Sequence, residues 1–117
     1  MESSAVILVS GRTQFEEVVQ ETSFVSPVLL LFWVEWCKVS TVLKTVLEGL
    51  AAEFRGAFSL AVVPCHLEDL QDKKEEFKGK ERPHVVLLKD GSQVASFSGG
   101  LPRHKVLQFL HLHDIFA

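Results

Sequence analysis

Cysteine is nearly missing from this sequence of 117 residues: Cys37 and Cys65 are the whole complement. Two thiols so far apart exclude a disulfide-stapled scaffold and a zinc site built on paired Cys-x-x-Cys ligands. The five histidines do not repair this, because His111 and His113 stand two apart on an expected helix, where their rings diverge. Both read as solvated surface groups. Long apolar runs are missing too. The longest, residues 28–34, falls far short of the roughly 20 residues that cross a bilayer, and Glu35 ends it. The first eight residues lack a basic flank, and their apolar stretch is too short for a secretory signal, so the expected setting is a reducing one, cytoplasmic or nuclear. Neither sign of charge dominates: 12 Lys and Arg against 15 Asp and Glu give a net charge of -3, which argues against nucleic acid and membrane surfaces as partners. No phosphate loop, Ser-His-Asp order or pair of buried carboxylates can be placed, so hydrolysis, phosphoryl transfer and hydride transfer find no support. No metal and no resident cofactor is expected.

What the sequence does have is apolar content, 47% of the chain, enough for one continuous core and a single domain over residues 1–117. Residues 5–9 read as a short strand rich in β-branched side chains, closed by Ser10-Gly11. Thr13-Gln14-Phe15-Glu16 has the form of a capping box, and Phe15, Val18 and Val19 give the following segment a helical apolar face. Ser26-Pro27 ends it, and residues 28–34 suit a central strand covered on both faces. From Val39 to Phe54, apolar residues recur at three and four, which predicts a long amphipathic helix stopped near Gly56. Residues 58–63, closed by Pro64, read as a strand. The polar stretch 68–80, with Leu70 and Phe77 at helical spacing, reads as a short crossover whose mixed charges form a solvated face. Asp90-Gly91 between two apolar runs predicts a hairpin, Gly99-Gly100 ends it, and Pro102 opens a last helix. The order is βαβαβαββα: an α/β domain with a mixed central sheet of about five strands flanked by four helices.

One position carries chemistry. Cys37 lies between a buried strand and the start of the long helix, where unpaired backbone N–H groups and the helix dipole favour a thiolate, the form that attacks disulfides. The segment Phe32-Trp33-Val34-Glu35-Trp36-Cys37 closely resembles the strand-to-active-site segment of thioredoxins. Pro83, after Arg82 and before the strand beginning at Val85, resembles that family's cis-proline, and Lys89-Asp90-Gly91 with Phe97-Ser98-Gly99-Gly100 matches its terminal hairpin. The resemblance spans nearly the whole chain. It implies a thioredoxin fold and a client-binding surface at Trp36, Arg82, Pro83 and Gly99, where backbone groups beside the proline pair with an extended segment.

The departures bear on activity. Ser40 stands where thioredoxins have their resolving cysteine, Lys38-Val39 replaces Gly-Pro, Leu31 occupies the place of a buried aspartate that serves the resolving thiol's proton, and Thr45 replaces a helix-kinking proline. Leu31 and Ser40 agree, since a proton acceptor for a resolving thiol has no purpose once that thiol is gone. The expectation is a monothiol protein in which Cys37 is the nucleophile, Lys38 and Arg82 stabilise its thiolate and Ser40 hydrogen-bonds the sulfur. It would form mixed disulfides with protein clients bearing thiols or disulfides, or with glutathione as co-substrate. The rival expectation is a redox-inactive adaptor binding partners non-covalently, and a third is a homodimer linked through Cys37. Cys65, with His66 beside it as a base, is a weaker candidate for a distant resolving thiol.

Overall fold

The computed structural model describes residues 6–76 and 83–115. A short edge strand β1 (Val6–Leu8) leads into helix α1, which starts at Arg12–Glu17, loosens into a π-helical turn at Val18–Thr22 and closes with Ser23–Val25. Its N-terminus corrects the expected capping box. The N-cap is Gly11, no side chain caps from that position, and Thr13 is already helical. Two other contacts satisfy this end: the Gln14 side chain accepts the Ser10 N–H at 2.8 Å, and Asp69, from the far side of the sequence, accepts the Arg12 N–H at 3.0 Å. Asp69 therefore has a partner, where the sequence suggested only a solvated face.

Strand β2 (Val28–Trp33) follows Pro27, then helix α2 (Lys38–Glu53), strand β3 (Ser59–Pro64), a 3₁₀ turn (Glu68–Leu70) with the short helix α3 (Gln71–Glu76), strands β4 (His84–Lys89) and β5 (Ser92–Ser98), and helix α4 (Arg103–Leu112). Phe77 lies outside the described residues. The expected element order is reproduced. The sheet runs β1-β3-β2-β4-β5, with β1, β3 and β2 parallel and β4 and β5 antiparallel. Asp90 and Gly91 both take positive φ, 53° and 81°, the requirement of the two-residue hairpin turn that Asp-Gly predicts.

β2 explains the layering. Leu29 and Leu31 point into one core with Leu43, Leu47 and Leu50 of α2 and Val106 and Leu110 of α4, while Leu30 and Phe32 point into the other with Phe15 and Val18 of α1. A strand buried on both faces needs a continuous apolar run, and this one has it. α2 runs unbroken through Thr45 over its 16 residues, and the Thr45 hydroxyl donates to the Thr41 carbonyl at 3.2 Å. Near the other end, His113 is no free surface group. Its carbonyl accepts the Lys89 ammonium at 2.9 Å, and its ring lies 4.9 Å from that of Phe109. Among the described residues, no helix is long and apolar enough to cross a membrane.

Candidate functional site

The carboxyl ends of β2 and β3 and the amino end of α2 meet at Cys37. Its N–H donates to the Val34 carbonyl at 3.0 Å, closing a turn, and its own carbonyl accepts the Thr41 N–H at 3.1 Å, the first bond of α2. Cys37 is thus the N-cap, in an extended conformation, with no side-chain cap bond. Cys37 therefore stands at the amino end of α2, where the first-turn N–H groups have no helical acceptor and the helix dipole is positive, with its side chain leaning on the α1-side core. Cys37 is half-buried and makes no disulfide.

Ser40 is fully buried, and its hydroxyl accepts the Val34 N–H at 2.9 Å. This bond ties the first turn of α2 to the end of β2 and fixes the loop that carries Cys37. Lys38 is exposed. Trp36 is 74% exposed, far above what an indole in a core would show, and so offers a contact surface. Trp33, by contrast, faces inward, with the Lys44 ammonium 4.9 Å from its ring centre. Leu31 has no exposure at all and is packed in an aliphatic cluster with side chains of α2, an environment hostile to a carboxylate.

Pro83 and Gly99 are joined directly: the Gly99 N–H donates to the Pro83 carbonyl at 2.7 Å, and Gly99 takes φ 84°. Pro83 is buried beside β4, whose first residue, His84, pairs with Phe32 of β2 and with Ser98 of β5. The His84 ring nitrogen Nδ1 and the Ser98 hydroxyl lie 2.6 Å apart, pinning this corner. Arg82 lies outside the described residues, and so does the peptide bond it shares with Pro83.

Two residues that the sequence does not pair come together here. Glu35, two before Cys37, contacts Nδ1 of His66 through Oε2, while its Oε1 is buried without a hydrogen-bond partner among the described residues. The signal was available: parallel pairing of β2 with β3 sets Trp33 beside Pro64, which carries residues 35 and 66 to the same end of the sheet. His66 is thereby engaged with Glu35. Cys65, mostly buried, donates its N–H to the Trp33 carbonyl at 2.8 Å and belongs to the α1-side core. Beyond Cys37, Val39 and Val42 are exposed on α2, and the β5–α4 loop closes on them. A Cβ at Gly100 would come 2.6 Å from Val39 Cγ1, so a larger residue there requires the Val39 side chain to shift. Among the described residues, no group of three or more His, Cys, Asp or Glu could hold a metal ion.

The sequence profile of the family described as Thioredoxin matches residues 6–112. Among individual proteins, the chain is similar to the thioredoxin of Haemophilus influenzae, with 33% identity over 107 residues covering 92% of this chain and 96% of that protein. It is also similar to the thioredoxin of Acidithiobacillus ferridurans, with 30% identity over 108 residues covering 92% and 95%. Among solved structures, a mutant thioredoxin from Halobacterium salinarum aligns with a TM-score of 0.78 at 24% identity, over 96% of this chain and 94% of that one, a likeness of fold.

Proposed function

The chain belongs to the thioredoxin family, and on that premise we propose that it acts as a monothiol member, forming mixed disulfides through Cys37 without a dithiol cycle. The observation that carries the reading is the N-cap position of Cys37 combined with the burial of Ser40 at the place of a second thiol. The Cys37 thiolate attacks one sulfur of a client disulfide, the new Cys37–S bond forms as the client S–S bond breaks, and the second client sulfur leaves as a thiolate that takes its proton from water. With no thiol at position 40, nothing local attacks the mixed disulfide. An external thiol such as glutathione attacks the client sulfur, forms a disulfide with it and returns Cys37 as the thiolate. A reducing cytoplasmic or nuclear setting would supply that thiol. In this reading Trp36, Arg82, Pro83 and Gly99 form the client-facing surface, all four by resemblance, with the 74% exposure of Trp36 supporting its part, and Lys38, next in the chain after Cys37, supplies a positive charge.

The test is capture of oxidised glutathione by the Cys65→Ser protein, read as the mass of one added glutathionyl group. Expected are capture by Cys65→Ser, none by the Cys37→Ser, Cys65→Ser double variant, and faster alkylation of Cys37 than of free glutathione at neutral pH. Capture that survives Cys37→Ser would sink the assignment. One observation favours a second reading: Trp36 is so exposed that a non-covalent partner could bury it. A redox-inactive adaptor would then retain partner binding in Cys37→Ser and show no capture in any variant.

A further inference from the structure

A groove of about 400 Å³ runs along α2 away from the thiol, walled by Val39, Val42 and Val46 on the helix and by Gly100, Leu101 and Pro102 on the β5–α4 loop. Lys38 is its single charged wall residue. Val39 and Val42 are 52% and 56% exposed, although an amphipathic helix ordinarily turns such residues inward. The loop passes close to Val39, since a Cβ built on Gly100 would fall 2.6 Å from Val39 Cγ1.

We infer that this groove is a side-chain subsite that selects, among protein clients captured at Cys37, those with a branched aliphatic residue two positions from the reacting cysteine. The inference rests on the monothiol reading and adds its specificity. A client tethered at Cys37 must lay its neighbouring residues on whatever surface begins there, and the groove begins at the next residue. Measured only as rise along the α2 axis, about 1.5 Å per residue, Val39, Val42 and Val46 lie about 3, 7.5 and 13.5 Å beyond Cys37. An extended segment advances about 3.3 Å per residue and turns alternate side chains to the same side. The client residue two positions from its cysteine thus arrives about 6.6 Å along, between Val39 and Val42, and the residue four positions away arrives near Val46. Lys38, at the mouth, favours a neutral or acidic client over a basic one.

The experiment uses short peptides with one cysteine, joined as symmetrical disulfides, carrying Leu or Ser two positions before or after that cysteine. In capture, the Cys37 thiolate forms a disulfide with one peptide and releases the other as a thiolate. In the Cys65→Ser background, Leu at one of the two offsets should speed capture about tenfold over Ser, the scale of partly burying one aliphatic side chain. The further change Val42→Asp, or the milder Val42→Ser, should remove that preference while capture of oxidised glutathione is unchanged. Equal rates for Leu and Ser at both offsets, or a preference that persists in both Val42 variants, overturn the subsite. If no disulfide at all is captured, the monothiol reading fails separately. The subsite is then tested by Trp36 fluorescence in Cys37→Ser, where tighter binding of the reduced Leu peptide than of the Ser peptide upholds it and equal binding overturns it.

Discussion

The hydroxyl of Ser40 takes the Val34 N–H in a fully buried setting, so truncating it strands a donor. Ser40→Ala should cost about 1–3 kcal/mol, read as a lower urea midpoint at unchanged slope. Cys37→Ser, at a half-buried position with no side-chain cap bond, should leave that midpoint nearly unmoved. The contrast separates the residue that holds the loop from the residue that reacts. Leu31 gives the converse case. Restoring a carboxylate there places it in the aliphatic cluster of Leu43, Leu47 and Val85, so Leu31→Asp should cost at least about 3 kcal/mol at neutral pH. If that variant keeps the parent's urea midpoint, the aliphatic environment assigned to position 31 is wrong. Cys37 and its departures were legible because they are a matter of residue type beside a strand and a helix start. The Val34–Ser40 bond was not, because a hydroxyl's partner depends on how a loop closes, and the same serine could have faced the sulfur.

At the scale of elements, the amino end of α1 depends on a segment more than fifty residues away. Asp69 accepts the Arg12 N–H, and the Arg12 guanidinium reaches back to the Asp69 carbonyl at 2.9 Å and the Asp72 carboxylate at 2.5 Å. Asp69→Ala should cost about 1 kcal/mol, the usual loss of a helix cap, seen as a lower melting temperature. For Asp72, desolvation works to raise the carboxyl's pKa, but the hydrogen bond and charge of Arg12, with backbone N–H groups at Lys73 and Asp72, outweigh it and hold the group below its ordinary 3.8. A lowered carboxylate contributes stability that is complete above that ordinary value and fades as pH falls through the folded-state value. The Asp72→Asn protein should therefore lose less stability than the parent on acidification below about pH 4, and equal acid profiles would show that the pair does not couple to folding. The Asp69 contact explains why the capping box fails: Thr13-x-x-Glu16 satisfies the pattern, but the helix starts two residues earlier, with Gly11 as N-cap, where a carboxylate from another element takes the Arg12 N–H. The long helix α2 was readable because its period of three and four persists over sixteen residues. The π-turn in α1 was not, since its polar residues carry no period of their own.

Across the whole molecule, the alternation along β2 joins two cores that share no helix. Leu47 packs on the α2 and α4 side and Phe15 on the α1 side, each with essentially no exposure. Strand order was partly legible for the same reason: the longest apolar run, at residues 28–34, suits the middle of the sheet, and helices between strands imply parallel neighbours. That β3 lies between β1 and β2 was not legible, because no local signal says which neighbour a crossover strand will take. Because both cores are anchored on one backbone, loss of either should remove the partner surface of β2 and unfold the other. Leu47→Ala should cost about 2–5 kcal/mol and Phe15→Ala about 3–5. Each should shift far-UV circular dichroism and tryptophan fluorescence transitions together in urea, although Trp33 contacts only the α2-side core. Separation of the two transitions in Phe15→Ala, with fluorescence unfolding at the parent's midpoint, would mean that the α1 layer melts alone. The site would then sit on the more stable half, because Cys37 caps α2 while only its side chain leans on the other core.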